Sequence, residues 1–160
     1  MNLIVVPNLD EFFKTELDKF KPTQSQEVQF YLVNLLTRFS VSSNLFEDSI
    51  GQKRIPILIE LLSEAENEIK QEEKRLLYRQ TGDLSLYTIG FINSIKQPEY
   101  YYEFIGKRAY SCAVELSTKS QKELYRELSY DFNNISNLLK KLSNSFKTLK
   151  NQELLRTQSQ

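Results

Sequence analysis

Leu76-Leu77-Tyr78-Arg79-Gln80-Thr81-Gly82-Asp83-Leu84-Ser85-Leu86-Tyr87-Thr88-Ile89-Gly90-Phe91, a turn at Lys96-Gln97-Pro98, and a return from Tyr100-Tyr101-Tyr102 to Ala113 form the stretch that decides the fold. Its spacing predicts a helix on either side of one tight connection. In the second arm Tyr102, Ile105, Gly106, Ala109, Ala113 and Leu116 fall on one helical stripe, and Tyr101, Phe104, Cys112 and Val114 fill much of the remaining circumference. Only Glu103, Lys107 and Ser111 make a polar band, and a helix apolar nearly all round is a buried one. Each arm carries an interior glycine, Gly90 and Gly106. Glycine inside a helix costs about 1 kcal/mol against alanine, and close backbone approach is its usual compensation. Counted outward from Gln97 at about 1.5 Å per residue, the two lie at similar heights on antiparallel neighbours. A close crossing of the arms at Gly90 and Gly106 is therefore expected. The plainer reading is that each glycine leaves room for a Tyr or Phe ring.

On the N-terminal side, Asn8 with Glu11 resembles a capping box, and the helix it opens carries Leu9, Phe12, Phe13, Leu17 and Phe20 on one face before Pro22. Thr23 with Gln26 reads as the box for a second helix. Its stripe is Val28, Tyr31, Leu32, Leu35 and Phe39, widened by Phe30, Val33 and Leu36. Ser40 to Ile55 reads as the longest irregular stretch, with turn signals at Ser42-Ser43-Asn44, Asp48-Ser49 and Gly51. Long connections are either plain linkers or functional, so this loop is one candidate contact surface. Pro56 suits a helix start, with Leu58, Leu62, Ala65, Ile69 and Leu76 as a seam interrupted at Glu72. The charged run around Glu72-Glu73-Lys74-Arg75 reads as a solvated face.

On the C-terminal side, Tyr125, Leu128, Phe132, Ile135, Leu139, Leu142, Phe146 and Leu149 alternate spacings of three and four. That is the seam of one long bundle helix over about 121–151. At about 45 Å it would outrun a shorter bundle, which makes Leu139, Leu142, Phe146 and Leu149 a candidate interaction surface. Lysines near its end suit the helix dipole without any phosphate ligand. Residues 156–160 are expected to be a frayed tail on a single domain spanning 1–155.

Composition bounds the chemistry. The chain has 21 basic and 21 acidic residues, which provides no overall charge drive toward nucleic acid or anionic membrane. No run approaches the ~18 apolar residues of a membrane span, and the N-terminus has no signal-peptide pattern. One cysteine, Cys112, excludes an internal disulfide and suits a reducing, cytoplasmic setting as an inert thiol on an apolar face. There is no histidine at all. That removes histidine-based triads, two-histidine zinc motifs and the histidine pairs of di-iron bundles. Glycine-rich nucleotide loops are absent too. No cofactor, metal or catalytic residue is assigned, and the expectation is a non-enzyme.

One polar cluster remains. The chain is expected to break or kink at Thr81-Gly82-Asp83, with Asp83 capping the helix that follows. The sharper alternative makes Asp83 a buried polar centre reached by Arg79, Tyr87 or Tyr110, since buried carboxylates demand partners. The nine tyrosines otherwise read as core-rim residues.

The blocks Gly82-Asp83-Leu84-Ser85-Leu86, Gly90-Phe91, Tyr101-Tyr102, Gly106 and Ala109-Tyr110 resemble a family of bacterial helical proteins. Those share a Gly-Asp-x-x-Leu block, a Gly-Phe, and a Tyr-Tyr…Gly…Ala-Tyr block. The resemblance covers Phe30 to Leu116. It implies that the hairpin is the shared part and the last helix the variable one, and it brings no activity with it.

The expected fold is an all-α single-domain bundle of five or six helices, with a buried central hairpin at about 84–116 and the long helix along it. The expected function is a protein-interaction or scaffold module. Its partner would be another protein or a second copy of the chain, met through the long helix or the 40–55 loop. The alternative is a bundle holding an apolar or aromatic small molecule among Tyr87, Phe91, Tyr101 and Tyr110.

Overall fold

The computed structural model describes residues 8–50, 58–92 and 97–158, with the side chains of 41–50, 150 and 153–158 left aside. Among the described residues every regular element is a helix: α1 (Leu9–Lys19), α2 (Gln26–Ile50), α3 (Leu58–Asn67), α4 (Gln71–Phe91), α5 (Glu99–Glu115), α6 (Lys119–Tyr130) and α7 (Phe132–Gln158). They form an all-α bundle with α4 at its centre, packed against α2, α3, α5 and α7.

The hairpin is the core, as its apolar circumference predicts. From Thr81 to Gly90 every α4 residue except Leu84 is buried. On α5 the buried side is Tyr102, Ile105, Gly106, Ala109, Tyr110 and Ala113. The arms are antiparallel: Ser85 Oγ donates to the Tyr102 carbonyl, and Tyr110 reaches Asp83. Phe104, assigned to the apolar circumference, is 67% exposed, so α5 keeps one outer face.

Helix boundaries depart from the sequence reading in four places. α4 runs unbroken through Thr81-Gly82-Asp83, and the break falls earlier, between Asn67 and Gln71. There the Glu68 carboxylate accepts the N–H groups of Ile69 and Lys70 (3.1 and 3.2 Å), which stops α3. Ile69, placed on the seam, is 88% exposed as a result. α2 continues to Ile50, so the first part of the expected 40–55 loop is helical, while 51–55 lies outside the described residues. Serine and asparagine cost well under 1 kcal/mol each in a helix already nucleated. The N-terminal caps differ in detail as well, although Asn8 keeps its expected place as the cap residue of α1. Asn8 donates from its amide to Glu11 and makes no side-chain cap bond. For α2, Ser25 replaces Thr23 as the cap, its Oγ accepting the Val28 N–H at 3.2 Å.

The fourth departure is the long C-terminal helix, which bends at Asp131 (φ −99°, ψ 19°) into α6 and α7 and raises the helix count among the described residues to seven. Asp131 N–H still bonds the Glu127 carbonyl, and its own carbonyl accepts from Ile135. The register of the seam therefore survives the bend. The Asp131 carboxylate accepts from the side-chain amides of Gln24 and Asn134, each at 2.7 Å, which ties the bend to the segment before α2. The bend lets α6 pack on α5 while α7 packs on α4.

The glycines serve that packing. A Cβ on Gly90 would lie 2.7 Å from Leu139 Cβ, and one on Gly106 would lie 2.5 Å from the Phe132 ring. Both glycines therefore accept α7. Gly106 leaves room for a ring, as the plainer reading has it, and its added Cβ would also lie 3.0 Å from Ser85 Oγ of the other arm; Gly90 instead admits Leu139 of α7, which the pattern within the hairpin could not reveal. Leu139 and Leu142 are fully buried, Phe146 is 9% exposed, and Leu149 is half-buried. The stripe taken as an interaction surface is thus the inner face of α7.

Candidate functional site

On α4, Arg79 and Asp83 stand one turn apart on the same face. On α2, Tyr31 and Arg38 are two turns apart and face them, and α5 supplies Tyr110. These five side chains converge. Asp83 Oδ1 accepts from the Tyr31 hydroxyl at 2.5 Å and from the Tyr110 hydroxyl at 2.7 Å. Asp83 Oδ2 takes Arg38 at 3.1 Å, with Arg79 Nε at 3.7 Å. Arg79 Nε also donates to Tyr31 Oη at 3.2 Å. The tyrosine thus accepts from a guanidinium and donates to a carboxylate. Gly82 makes this possible. A Cβ there would come within 2.6 Å of the Tyr110 ring, so glycine lets that ring lie against the α4 backbone and reach Asp83.

The centre continues outward. Tyr125 stacks on Tyr110 (centroids 6.3 Å apart) and meets Tyr31 edge-on. Its hydroxyl accepts from Arg75, which pairs with Glu72 through both Nε and Nη2.

Burial dominates the electrostatics. Asp83 is 1% exposed, and desolvation holds its pKa above the usual carboxylate range against the hydrogen bonds of Tyr31 and Tyr110 and the charges of Arg38 and Arg79. Tyr31 and Tyr110 are raised well above an ordinary phenol, first by burial and then by the neighbouring Asp83. Both oxygens of Asp83 are engaged by its neighbours, and the side chain is almost closed to solvent. Among the described residues no group of three His, Cys, Asp or Glu side chains is arranged to hold a metal ion. Nor, among them, is any helix long and apolar enough to cross a membrane.

Above the centre runs an open groove of about 660 Å³. Its walls are Glu27, Phe30, Asn34, Thr37 and Arg38 of α2 and Ser120 and Leu124 of α6, with Tyr31 and Arg79 below. The α2 and α6 walls run antiparallel, since Ser25 N–H bonds Glu127 and Gln24 bonds Asp131 at one end. Phe30, placed in the core by its spacing, is 70% exposed here.

The expected cap at Asp83 is not formed, because α4 runs through it; of the alternative polar centre, the structure brings Asp83, Arg79 and Tyr110 together. The structure stacks Tyr87 between Phe39 and Phe91, with both centroid distances 5.1 Å. It adds Tyr31 and Arg38, which lie 52 and 45 residues from Asp83 in the chain. The sequence signals them only weakly, through a tyrosine on the apolar stripe of α2 with an arginine two turns on. Of the four rings Tyr87, Phe91, Tyr101 and Tyr110, the first two stack on each other. Phe91 continues the Tyr87 stack toward Phe13 and Phe146, Tyr110 packs on Tyr125 and Phe132, and Tyr101 meets Tyr102 edge-on.

No family model matches the chain, and neither a curated protein nor a solved structure does. The blocks that carry the family resemblance have a direct geometric account instead. Gly82 and Asp83 seat Tyr110, Gly90 and Gly106 seat α7, and the Tyr102 carbonyl receives Ser85.

Proposed function

We propose that this protein is a non-catalytic interaction module and that the groove between α2 and α6 is its docking face. One observation carries the reading: a phenylalanine ring, Phe30, stands 70% exposed in a groove beside Leu124 with Arg79 at its base. Single exposed apolar residues are ordinary, but an aromatic in a concave surface beside an arginine has the composition of an interface hot spot. The inner stripe of α7 is a poor contact surface, because Leu139 and Leu142 already fill the core. A cytoplasmic setting agrees with the single Cys112.

Affinity capture from the source cells with wild type and with Phe30→Asp tests the reading. Phe30 is largely outside the core, so the variant is expected to keep its thermal stability and lose the proteins that wild type retains. Identical captured sets from the two would overturn the assignment of this face.

A further inference from the structure

We infer that the cavity where α4 ends, α5 begins and α7 passes binds a small, neutral, polyhydroxylated molecule, with Ser143 hydrogen-bonded to its hydroxyls. The cavity shares no residue with the α2–α6 groove, so the inference stands apart from the docking face proposed above.

The first argument is an orphaned hydroxyl. Ser143 is 1% exposed, and among the described residues its Oγ has no hydrogen-bond partner. Thr81, Thr88, Ser117 and Ser136 are also buried, and each bonds the carbonyl one turn back in its own helix. A helical serine that does not fold back on those carbonyls directs its hydroxyl away from its helix, and Ser143 stands on the wall of the cavity. An unmet buried hydroxyl destabilises the fold, so such a group calls for an occupant that meets it.

Packing explains the space. Gly90 lets Leu139 of α7 lie against α4. Ser143 is one turn beyond Leu139 on the same face, where α4 stops at Phe91. The space left is about 330 Å³, at the small end for ligand pockets and more than one water needs.

The lining decides the class of ligand. Ile89 and Ile92 supply an apolar side, while Glu99, Lys140, Ser143 and Asn144 supply both donors and acceptors. Charge is already balanced. Lys140 Nζ meets Glu99 Oε1 at 2.6 Å, and Lys147 on the same wall is engaged as well. The negative pole of α4 also ends beside the positive pole of α5, and the two offset each other. An ionic ligand would have to compete with the Lys140–Glu99 pair. A ring or chain of hydroxyls with C–H edges meets the donors, the acceptors and the isoleucines together.

The isotope-labelled protein is titrated with myo-inositol and with glucose, and with inorganic phosphate and free glutamate as charged comparators. The polyols are expected to shift the Ser143 backbone amide and the Asn144 side-chain amide saturably, and the charged probes to leave both in place. Ser143→Ala removes the orphan. It is expected to melt no lower than wild type, yet to bind the polyol about five- to tenfold more weakly, the factor of one hydrogen bond. Asn144→Ala, at an exposed position, is expected to keep its melting temperature and to weaken binding too. A lower melting temperature of Ser143→Ala would show that the hydroxyl has a partner within the chain, and would overturn the inference. Equal binding by wild type and either variant would do the same. Shifts from phosphate or glutamate in place of the polyols would make the ligand an anion, and no shift from any probe would leave water as the sole occupant; each overturns it.

Discussion

Asp83 is a carboxylate buried against two phenols and two guanidiniums, and its removal leaves different debts at each partner. The Tyr110 hydroxyl, wholly buried, loses its acceptor, whereas Arg38 and Arg79 both reach water (48% and 34% exposed). Asp83→Ala is accordingly expected to cost about 3 kcal/mol, the low end of the range for breaking a buried pair. Urea denaturation measures it, and a change below the fitting error would mean that the cluster carries no stability. The pH dependence has a definite sign. Desolvation raises the pKa of Asp83 in the folded chain, so the native state holds the carboxyl proton more tightly than the unfolded state does. Its contribution is therefore greatest at low pH and declines as pH climbs from the unfolded value through the folded one. Asp83→Asn has no such titration. The stability of wild type relative to Asp83→Asn should fall with rising pH across that window, and a difference that grew instead would show the carboxyl held down by its partners.

At the scale of elements, the three helical glycines place neighbours that nothing larger would admit. For Gly90 the obstacle is Leu139 Cβ at 2.7 Å, an atom fixed to the α7 backbone. A side chain could rotate away; this atom can move only if α7 moves. Gly90→Ala gains about 1 kcal/mol of helix propensity but forces two packed helices apart, an overpacking cost of about 1–3 kcal/mol. Net destabilisation is expected, read as a lower denaturation midpoint with an unchanged slope. A stabilised Gly90→Ala would show that α4 and α7 are not in close contact. The bend at Asp131 works at the same scale. It turns one apolar seam into two halves, Tyr125 and Leu128 buried along α6 and Phe132 to Phe146 along α7.

For the molecule as a whole, the consequence is that α7 belongs to the interior. Leu142→Ala, at a fully buried position, is expected to cost about 2–5 kcal/mol. Chain truncation after Lys140 should unfold the protein instead of exposing or dissolving a contact surface, which circular dichroism of the truncated chain would decide. The sequence by itself determined the helical class, the hairpin from its apolar circumference, the seam from Tyr125 to Phe146, and the exclusion of histidine chemistry. These are local or compositional properties: periodicity reports which side of a helix is buried, and composition reports which groups are absent. Only the tertiary structure decided what the buried sides meet. Gly90 proved to face α7, Gly106 to face both Phe132 of α7 and Ser85 of α4, and Asp83 gathered Tyr31 and Arg38 from a helix about fifty residues away. Phe30 stayed in the open although its spacing placed it inside. The physical reason is common to all three. A stripe of apolar residues costs the same to expose whichever partner covers it, so periodicity carries no address, and the pairing of faces is settled by the packing of the whole bundle.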